Sequence, residues 1–154
     1  MRSFTIALVA AVAAFAAVAE APRIPVVTGA WARATPPGTP VAAIYLTIDN
    51  SAGKADRLLS VSSDRADRAE VHAIVRDGDV VKMRRVDPLH LGAGERVTLE
   101  PGGTHLMLMG LESPLVEGEI LTVVMKFELA GEMRVTARVM APTAPDPHAT
   151  HHHE

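Results

Sequence analysis

The sequence predicts an all-β domain, a sandwich or barrel of short and mostly antiparallel strands. Beyond residue 21 the chain alternates between short apolar or alternating segments and turns rich in Pro, Gly, Asp and Ser. This spacing is typical of β-sandwiches and β-barrels, and no long helical pattern or internal repeat competes with it. With 154 residues, 48% of them apolar and 21% charged, the chain has the size and composition of one globular domain.

Nine segments carry the strand pattern, and each is bounded by residues that favour turns. The proline-rich stretch at 36–40 is predicted to be a rigid loop because proline excludes helix there. The predicted strands are residues 26–32, 42–49, 56–61, 70–76, 80–86, 96–100, 104–109, 119–127 and 132–140.

The first hairpin is predicted to turn at Asp77-Gly78, because both residue types tolerate positive φ. A two-residue loop would pair Arg76 with Asp79, and the same register would set His72 opposite Met83. Directly opposed residues share one face of the sheet, so this hairpin is predicted to present an imidazole and a thioether together.

A second hairpin is predicted at the loop Leu129-Ala130-Gly131, with the glycine in the left-handed conformation. The resulting face is wholly apolar, as the core of a sandwich requires. The predicted pairs are Phe127 with Met133, Met125 with Val135, and Val123 with Ala137.

The N-terminal segment has the pattern of a secretory signal peptide comprising residues 1–19. A short positive start precedes an uncharged run at residues 4–19, which ends in the small residues Ala17-Val18-Ala19. The run is too short to span a bilayer comfortably. Cleavage would leave Glu20 first, although a cut after Ala21 or an N-terminal membrane anchor are the alternatives. We therefore expect an exported protein without a stable membrane span.

The C-terminal segment, residues 141–154, is predicted to be a flexible tail that follows a folded domain at 20–140. Its first half is an extended Pro- and Ala-rich linker. Its second half carries four histidines that could form a second site, for Cu(II) or another divalent ion, unless the tail is merely solvated or a tag remnant. These are His148, His151, His152 and His153.

Composition excludes several classes of function. The chain contains no cysteine, which rules out disulfides, thiol catalysis, zinc–thiolate sites and blue-copper sites. It has 15 basic and 18 acidic residues, a net charge of −3, so a general nucleic-acid binder is disfavoured. The remaining chemistry lies in its seven histidines and seven methionines.

A strand over 104–109 would place His105, Met107 and Met109 on one face and the intervening leucines on the other. If that face meets the pair His72 and Met83, two imidazoles and two thioethers converge. Thioether sulfur is a soft, neutral ligand, so such a site favours Cu(I) over zinc or hard cations.

Most methionines in a domain of this kind simply fill the core, and a lone histidine is usually a surface or core residue. We assign this packing role to Met109, Met125, Met133 and Met140, and His90 is expected to lie in a loop without a metal role. Trp31, the only tryptophan, is expected to pack in the core.

The spacing of the four remaining candidates is specific. His72, Met83, His105 and Met107 follow the pattern H-x10-M-x21-H-x-M. This resembles the PCu(A)C (PCuAC) family of periplasmic copper chaperones, and the resemblance extends over about residues 25–140. Many members have Met directly after the first histidine, where this chain has Ala73, which would point to the opposite face. Residues 30–38, 69–72 and 101–111 also look like family segments.

The resemblance implies a cupredoxin-like β-sandwich that binds one Cu(I) near its surface in the periplasm. It also implies supply of copper to the CuA centre of cytochrome c oxidase subunit II, alongside a thioredoxin-like Sco protein. Because this chain has no thiol, any reduction of target cysteines must come from such a partner.

The leading interpretation is therefore a carrier of Cu(I) and not an enzyme. Three alternatives remain open: a copper-buffering protein for metal tolerance, a copper-dependent enzyme, and a structural sandwich whose His and Met residues only pack. Copper oxidases and oxygenases normally need more imidazole or an N-terminal histidine, and neither predicted cleavage product begins with one.

Overall fold

The computed structural model describes residues 24–143, and within them the chain forms ten β-strands and no helix. Nothing in this part of the chain could cross a membrane as a helix. The predicted signal peptide and the histidines of the tail lie outside the described residues. The strands are β1 (Val26–Arg33), β2 (Val41–Asp49), β3 (Asp56–Ser63), β4 (Ala66–Asp77), β5 (Val80–Arg85), β6 (Leu89–Leu91), β7 (Arg96–Leu99), β8 (His105–Leu111), β9 (Ile120–Phe127) and β10 (Gly131–Met140).

Seven strands close into a barrel in the order β4-β8-β2-β1-β10-β9-β3, and the pairing of Val61 with Ala69 joins β3 back to β4. Only the β1–β10 pair is parallel among the described strands. Three strands lie outside the ring: β5 beside β4, β6 beside β3, and β7 beside β2. The predicted all-β architecture of short, mostly antiparallel strands is confirmed.

The core fills the inside of the barrel because alternate residues of each strand point inward. In β2 these are Ile44, Leu46 and Ile48, and in β8 they are Leu106 and Leu108, all fully buried. The predicted separation of the two faces of β8 is therefore correct. Residues between them face the outside of the barrel, where the candidate site lies.

One strand was not expected from the sequence. Residues Leu89–Leu91 form β6, which pairs with the start of β3 through Asp56 and Leu91. His90, predicted to lie in a loop, belongs to this short strand and is exposed. Three residues after a proline carry too little pattern to indicate a strand, and only the edge of β3 makes it one.

The first hairpin, β4–β5, has a register that differs from the predicted one by two residues. Asp77 pairs with Val80, so the two turn residues are Gly78 and Asp79. Gly78 has a φ of 61°, whereas Asp79 does not need a positive φ. A single glycine in the first turn position suffices for a type II′ turn, which accounts for the shift.

The shift changes partners but not faces. His72 lies opposite Arg85, and Met83 lies opposite Ile74, so His72 and Met83 are diagonal neighbours and not directly opposed. Since side chains alternate with a period of two, a shift of two residues keeps both on the same face.

The second hairpin, β9–β10, is also shifted by two. Its three-residue loop is 128–130, and Gly131, with the predicted positive φ of 79°, pairs with Phe127. The buried carboxylate of Asp56 accepts hydrogen bonds from the amides of Leu129 and Ala130, at 2.9 and 3.0 Å. This contact from β3 fixes the loop. The predicted apolar face persists with the pairs Met125–Met133, Val123–Val135 and Leu121–Ala137.

Candidate metal centre

A row of rings crosses the outer face of the barrel. His72 of β4 and His105 of β8 are register partners, and their ring centroids are 6.3 Å apart. The row continues through Tyr45 of β2, 6.5 Å from His105, to Trp31 of β1, 4.6 Å from Tyr45. The two imidazoles thus lie side by side although β4 and β8 are not consecutive in sequence.

His72 has one ring nitrogen engaged and one without a partner. Its Nε2 lies 2.9 Å from Oε2 of Glu70, two residues earlier on the same face of β4. Its Nδ1 is buried and has no hydrogen-bond partner among the described residues. A buried polar atom without a partner is costly, so this nitrogen is suited to an ion.

Glu70 is held as a carboxylate. The hydrogen bond with His72, and then the charges of Arg85 and Arg68, lower the pKa of Glu70 below its ordinary value, although burial opposes them. Its other oxygen, Oε1, lies 3.3 Å from Nε of Arg68 and 3.4 Å from Nη1 of Arg85. An ionised Glu70 accepts a hydrogen bond from Nε2–H of His72, and in that tautomer of the neutral ring the lone pair lies on Nδ1.

His105 is oriented by the backbone. Its Nδ1 lies 3.1 Å from the carbonyl oxygen of Gly103, to which it donates, and only 6% of the residue is exposed. Nε2 is therefore the nitrogen free to bind. Imidazoles that hold metals usually donate their other N–H to a carboxylate or a carbonyl, as His72 and His105 do here.

Two thioethers lie beside His105. Met83 and Met107 line the same open surface pocket as His105, a depression of about 350 Å³. Met107 is partly buried next to Ala43 of β2, whereas Met83 lies on the outermost strand and is 50% exposed. The pocket therefore has one partly buried methionine and one half-exposed methionine.

The structure thus gathers the four residues singled out by spacing at one end of the outer face. Three line the pocket, and His72 joins them through its neighbour His105. Metal–nitrogen bonds are about 2 Å long, so two imidazoles with centroids roughly 6 Å apart can share one ion. Within residues 24–143 no group of three or more His, Asp or Glu side chains could hold a metal. The metal-binding side chains that line this pocket are therefore one imidazole and two thioethers, with His72 beside them.

The other methionines and histidine have different surroundings. Met125 is fully buried in the core and Met133 packs against it, as expected for residues that fill space. The sulfur of Met109 lies 3.5 Å from Nη2 of Arg68. His90, on β6, is exposed.

The position of Trp31 differs from the expected core packing. It is buried as expected, with only 2% of the residue exposed, but it lies on the outer face and outside the main core cluster, with its ring tilted by 44° against that of Tyr45. Cζ of Arg33 lies 5.7 Å from the centre of the Trp31 ring. Sequence reasoning also missed Glu70, although its place two residues before His72 on a strand would have put both on one face.

Comparison with known proteins identifies the chain. The family model described as "Putative lipoprotein LpqE-like" matches residues 26–139. The chain belongs to the LpqE-like, PCuAC-type family. Its expected kinship with PCuAC proteins is thereby confirmed.

Solved structures of PCuAC domains share the fold of this family member. A copper-bound PCuAC domain from PmoF2 is 30% identical, with a TM-score of 0.67, and the match covers 80% of this chain and 97% of that domain. The Cu(I) form of DR1885 from Deinococcus radiodurans is 30% identical over 79% of this chain and 81% of its own, with a TM-score of 0.63. The predicted cupredoxin-like fold is confirmed.

Two curated relatives also match this LpqE-like chain. Lxx21020 of Leifsonia xyli subsp. xyli, which carries the same lipoprotein description, is 28% identical over 102 residues, 66% of this chain and 60% of the relative. RP573 of Rickettsia prowazekii, named as uncharacterized, is 31% identical over 87 residues, 56% of this chain and 48% of the relative. The chain thus spans about half to three fifths of the length of these relatives.

Proposed function

We propose that this chain is an exported copper chaperone, a carrier and not an enzyme, which binds one Cu(I) through His72, Met83, His105 and Met107. The observation that carries the proposal is the pair of imidazoles on β4 and β8, each with one nitrogen held and the other free. Copper-bound relatives of the same fold support it.

The oxidation state follows from the donor types. Two neutral imidazoles and two thioethers bring no negative charge to offset a divalent ion, and thioether sulfur prefers soft Cu(I). Glu70 does not change this balance, because Arg68, Arg85 and His72 occupy its oxygens. The site is therefore suited to Cu(I) and poorly suited to Cu(II).

The exposure of the site favours release. Met83 is half exposed on the outermost strand, so an acceptor can approach the ion from that side without unfolding the barrel. We propose that copper passes to the CuA centre of cytochrome c oxidase subunit II in the periplasm. A Sco-type thioredoxin-like partner would supply the thiols that this chain lacks.

The test is a Cu(I) titration against a competing chelator. Replacing Met83 and Met107 with Leu together roughly conserves volume, so folding should change little. The Cu(I) affinity should fall by more than about 100-fold, because loss of a ligand should exceed the 10–100-fold typical of a lost supporting group. Met125→Leu, in the core, is the matched control and should keep the parent affinity. A double variant that binds Cu(I) as tightly as the parent contradicts the assignment.

We propose a second, Cu(II) site in the tail, at His148 and His151–His153 of the sequence. Clustered imidazoles suit Cu(II), and unlike thioethers they become protonated as the pH falls. Deleting residues 141–154 should remove most Cu(II) binding and leave Cu(I) binding in place. Both are measured by titration of the intact and shortened proteins, and tight Cu(II) binding by the shortened protein would refute a tail site.

A further inference from the structure

The pocket that holds Met83, His105 and Met107 carries one charged side chain among the described residues, Arg33 at the end of β1. The rest of its lining is uncharged, and no carboxylate contributes to it. The wall of a site with neutral donors is therefore positively charged before any ion arrives.

The guanidinium of Arg33 has no hydrogen-bond acceptor among the residues that the structure describes. No ion pair among residues 24–143 includes it. Its Nε is buried without an acceptor, and its guanidinium lies over the ring of Trp31. A guanidinium has five N–H donors, and the contact with a ring face satisfies none of them.

The sheet places this cation on the side of the site away from Glu70. Ala32 pairs with Ile44, so Arg33 lies next to Ala43, which in turn pairs with Met107. Met107 pairs on its other side with Glu70. The only carboxylate in this lateral row is thus separated from Arg33 by two strands and has its own cations.

We propose that Arg33 guides the anionic ligand of the copper acceptor, a thiolate, into the pocket. The inference rests on the proposed function. The donors are neutral and the bound ion carries one positive charge, so an entering thiolate is attracted by both the ion and the guanidinium. A thiolate fits better than a carboxylate because Cu(I) is soft. An acceptor that presents only uncharged donors gains nothing from Arg33.

The transfer step is a ligand exchange. The acceptor sulfur enters as a thiolate and forms a bond to copper, while the bond from copper to a thioether sulfur breaks. Met83, the more exposed of the two thioethers, is the first to leave. Copper remains Cu(I) throughout, no electron moves, and no proton is released because the sulfur enters deprotonated.

The experiment measures the rate at which the protein, loaded with one Cu(I), delivers it to excess acceptor in a stopped-flow instrument. Two acceptors are compared: 2-mercaptoethanol, which reacts as a thiolate, and neocuproine, an uncharged aromatic diimine. Arg33→Gln should slow delivery to the thiolate roughly tenfold and leave delivery to the diimine nearly unchanged. Arg33→Lys should restore part of the rate. Arg134→Gln, an exposed cation far along β10, is the matched control.

Salt supplies a second readout. Delivery to the thiolate by the parent protein should slow as ionic strength rises, and Arg33→Gln should lose part of that dependence. Equal slowing with both acceptors, or no slowing with either, overturns the inference.

The Cu(I) affinity of each protein, measured by chelator competition, separates the two hypotheses. A parent protein that binds no Cu(I) refutes the proposed function itself. Parent-like binding by Arg33→Gln together with an unchanged thiolate rate refutes only the role of Arg33.

Discussion

The hairpins β4–β5 and β9–β10 are both antiparallel strand pairs, but they differ in what their side chains contact. In β9–β10, one face enters the core, where Val123, Met125 and Phe127 are fully buried. In β5 every residue is exposed, including the apolar Val81 and Met83. Burial in the core determines the residues on one face of β9–β10, whereas no packing requirement in the described chain explains the residues of β5. Exposed apolar residues beside a pocket point to function.

The largest difference between the two hairpins is expected in how much a truncated side chain lowers the stability of the protein. Phe127→Ala removes a fully buried ring from the barrel and should lower the free energy of unfolding by about 3–5 kcal/mol. Val81→Ala, on exposed β5, should change it by less than about 0.5 kcal/mol. Urea unfolding followed by circular dichroism measures both, and comparable losses would mean that β5 packs in a way the structure does not describe.

A smaller difference between the hairpins is expected in Cu(I) affinity when one carboxylate of each hairpin is removed. Glu70→Ala removes the support of His72 and should lower Cu(I) affinity about 10–100-fold, while Glu70→Gln, which still accepts a hydrogen bond, should lower it less. Glu128, in the loop of β9–β10, forms an exposed ion pair with Arg57 that lowers its pKa. Glu128→Ala should leave Cu(I) affinity unchanged. Chelator competition measures all three, and equal effects at the two positions would contradict a specific role for Glu70.

The smallest effects are expected from replacing the glycine at the turn of each hairpin. Gly78 and Gly131 both have positive φ, and a Cβ at either would meet no atom within 4 Å. Replacement by Ala should therefore cost only backbone strain, about 1–2 kcal/mol at each site. Gly78→Ala should also weaken Cu(I) binding because it disturbs the register that places Met83, whereas Gly131→Ala should not. Unfolding and Cu(I) titrations of both variants test this, and equal copper affinities would show that the turn does not position Met83.

The sequence predicted the strands and the faces better than the partners. Alternation identified nine of the ten strands, and both hairpin registers were wrong by two residues. In each case the glycine was recognised, but its position within the turn could not be decided from residue types alone. The loop of β9–β10 depends on Asp56 from β3, a contact that no local pattern reveals. Because both registers were wrong by an even number of residues, each side chain lies on the predicted face of its strand.

The residues of the candidate site also fall into those that the sequence could predict and those that it could not. Spacing singled out its histidines and methionines, because they lie on one hairpin and one further strand. Arg33 and Tyr45 could not be found, because they lie beside the pocket of His105 and Met107 only once β1 pairs with β2 and β2 pairs with β8. To predict which residues are neighbours on adjacent strands, the order of the strands in the sheet must be known, and the sequence pattern does not reveal that order.

The edge position of β5 has a consequence for how copies of the protein behave at high concentration. A strand with a neighbour on one side only leaves a row of backbone N–H and C=O groups that can pair with another chain. The strand that presents Met83 is therefore also a point at which copies could stack edge to edge. Lys82, Arg84 and Arg85 occupy half of its six residues, and their mutual repulsion keeps like edges apart. Concentrated salt would weaken that repulsion, so self-association should increase under the conditions in which surface charges are screened.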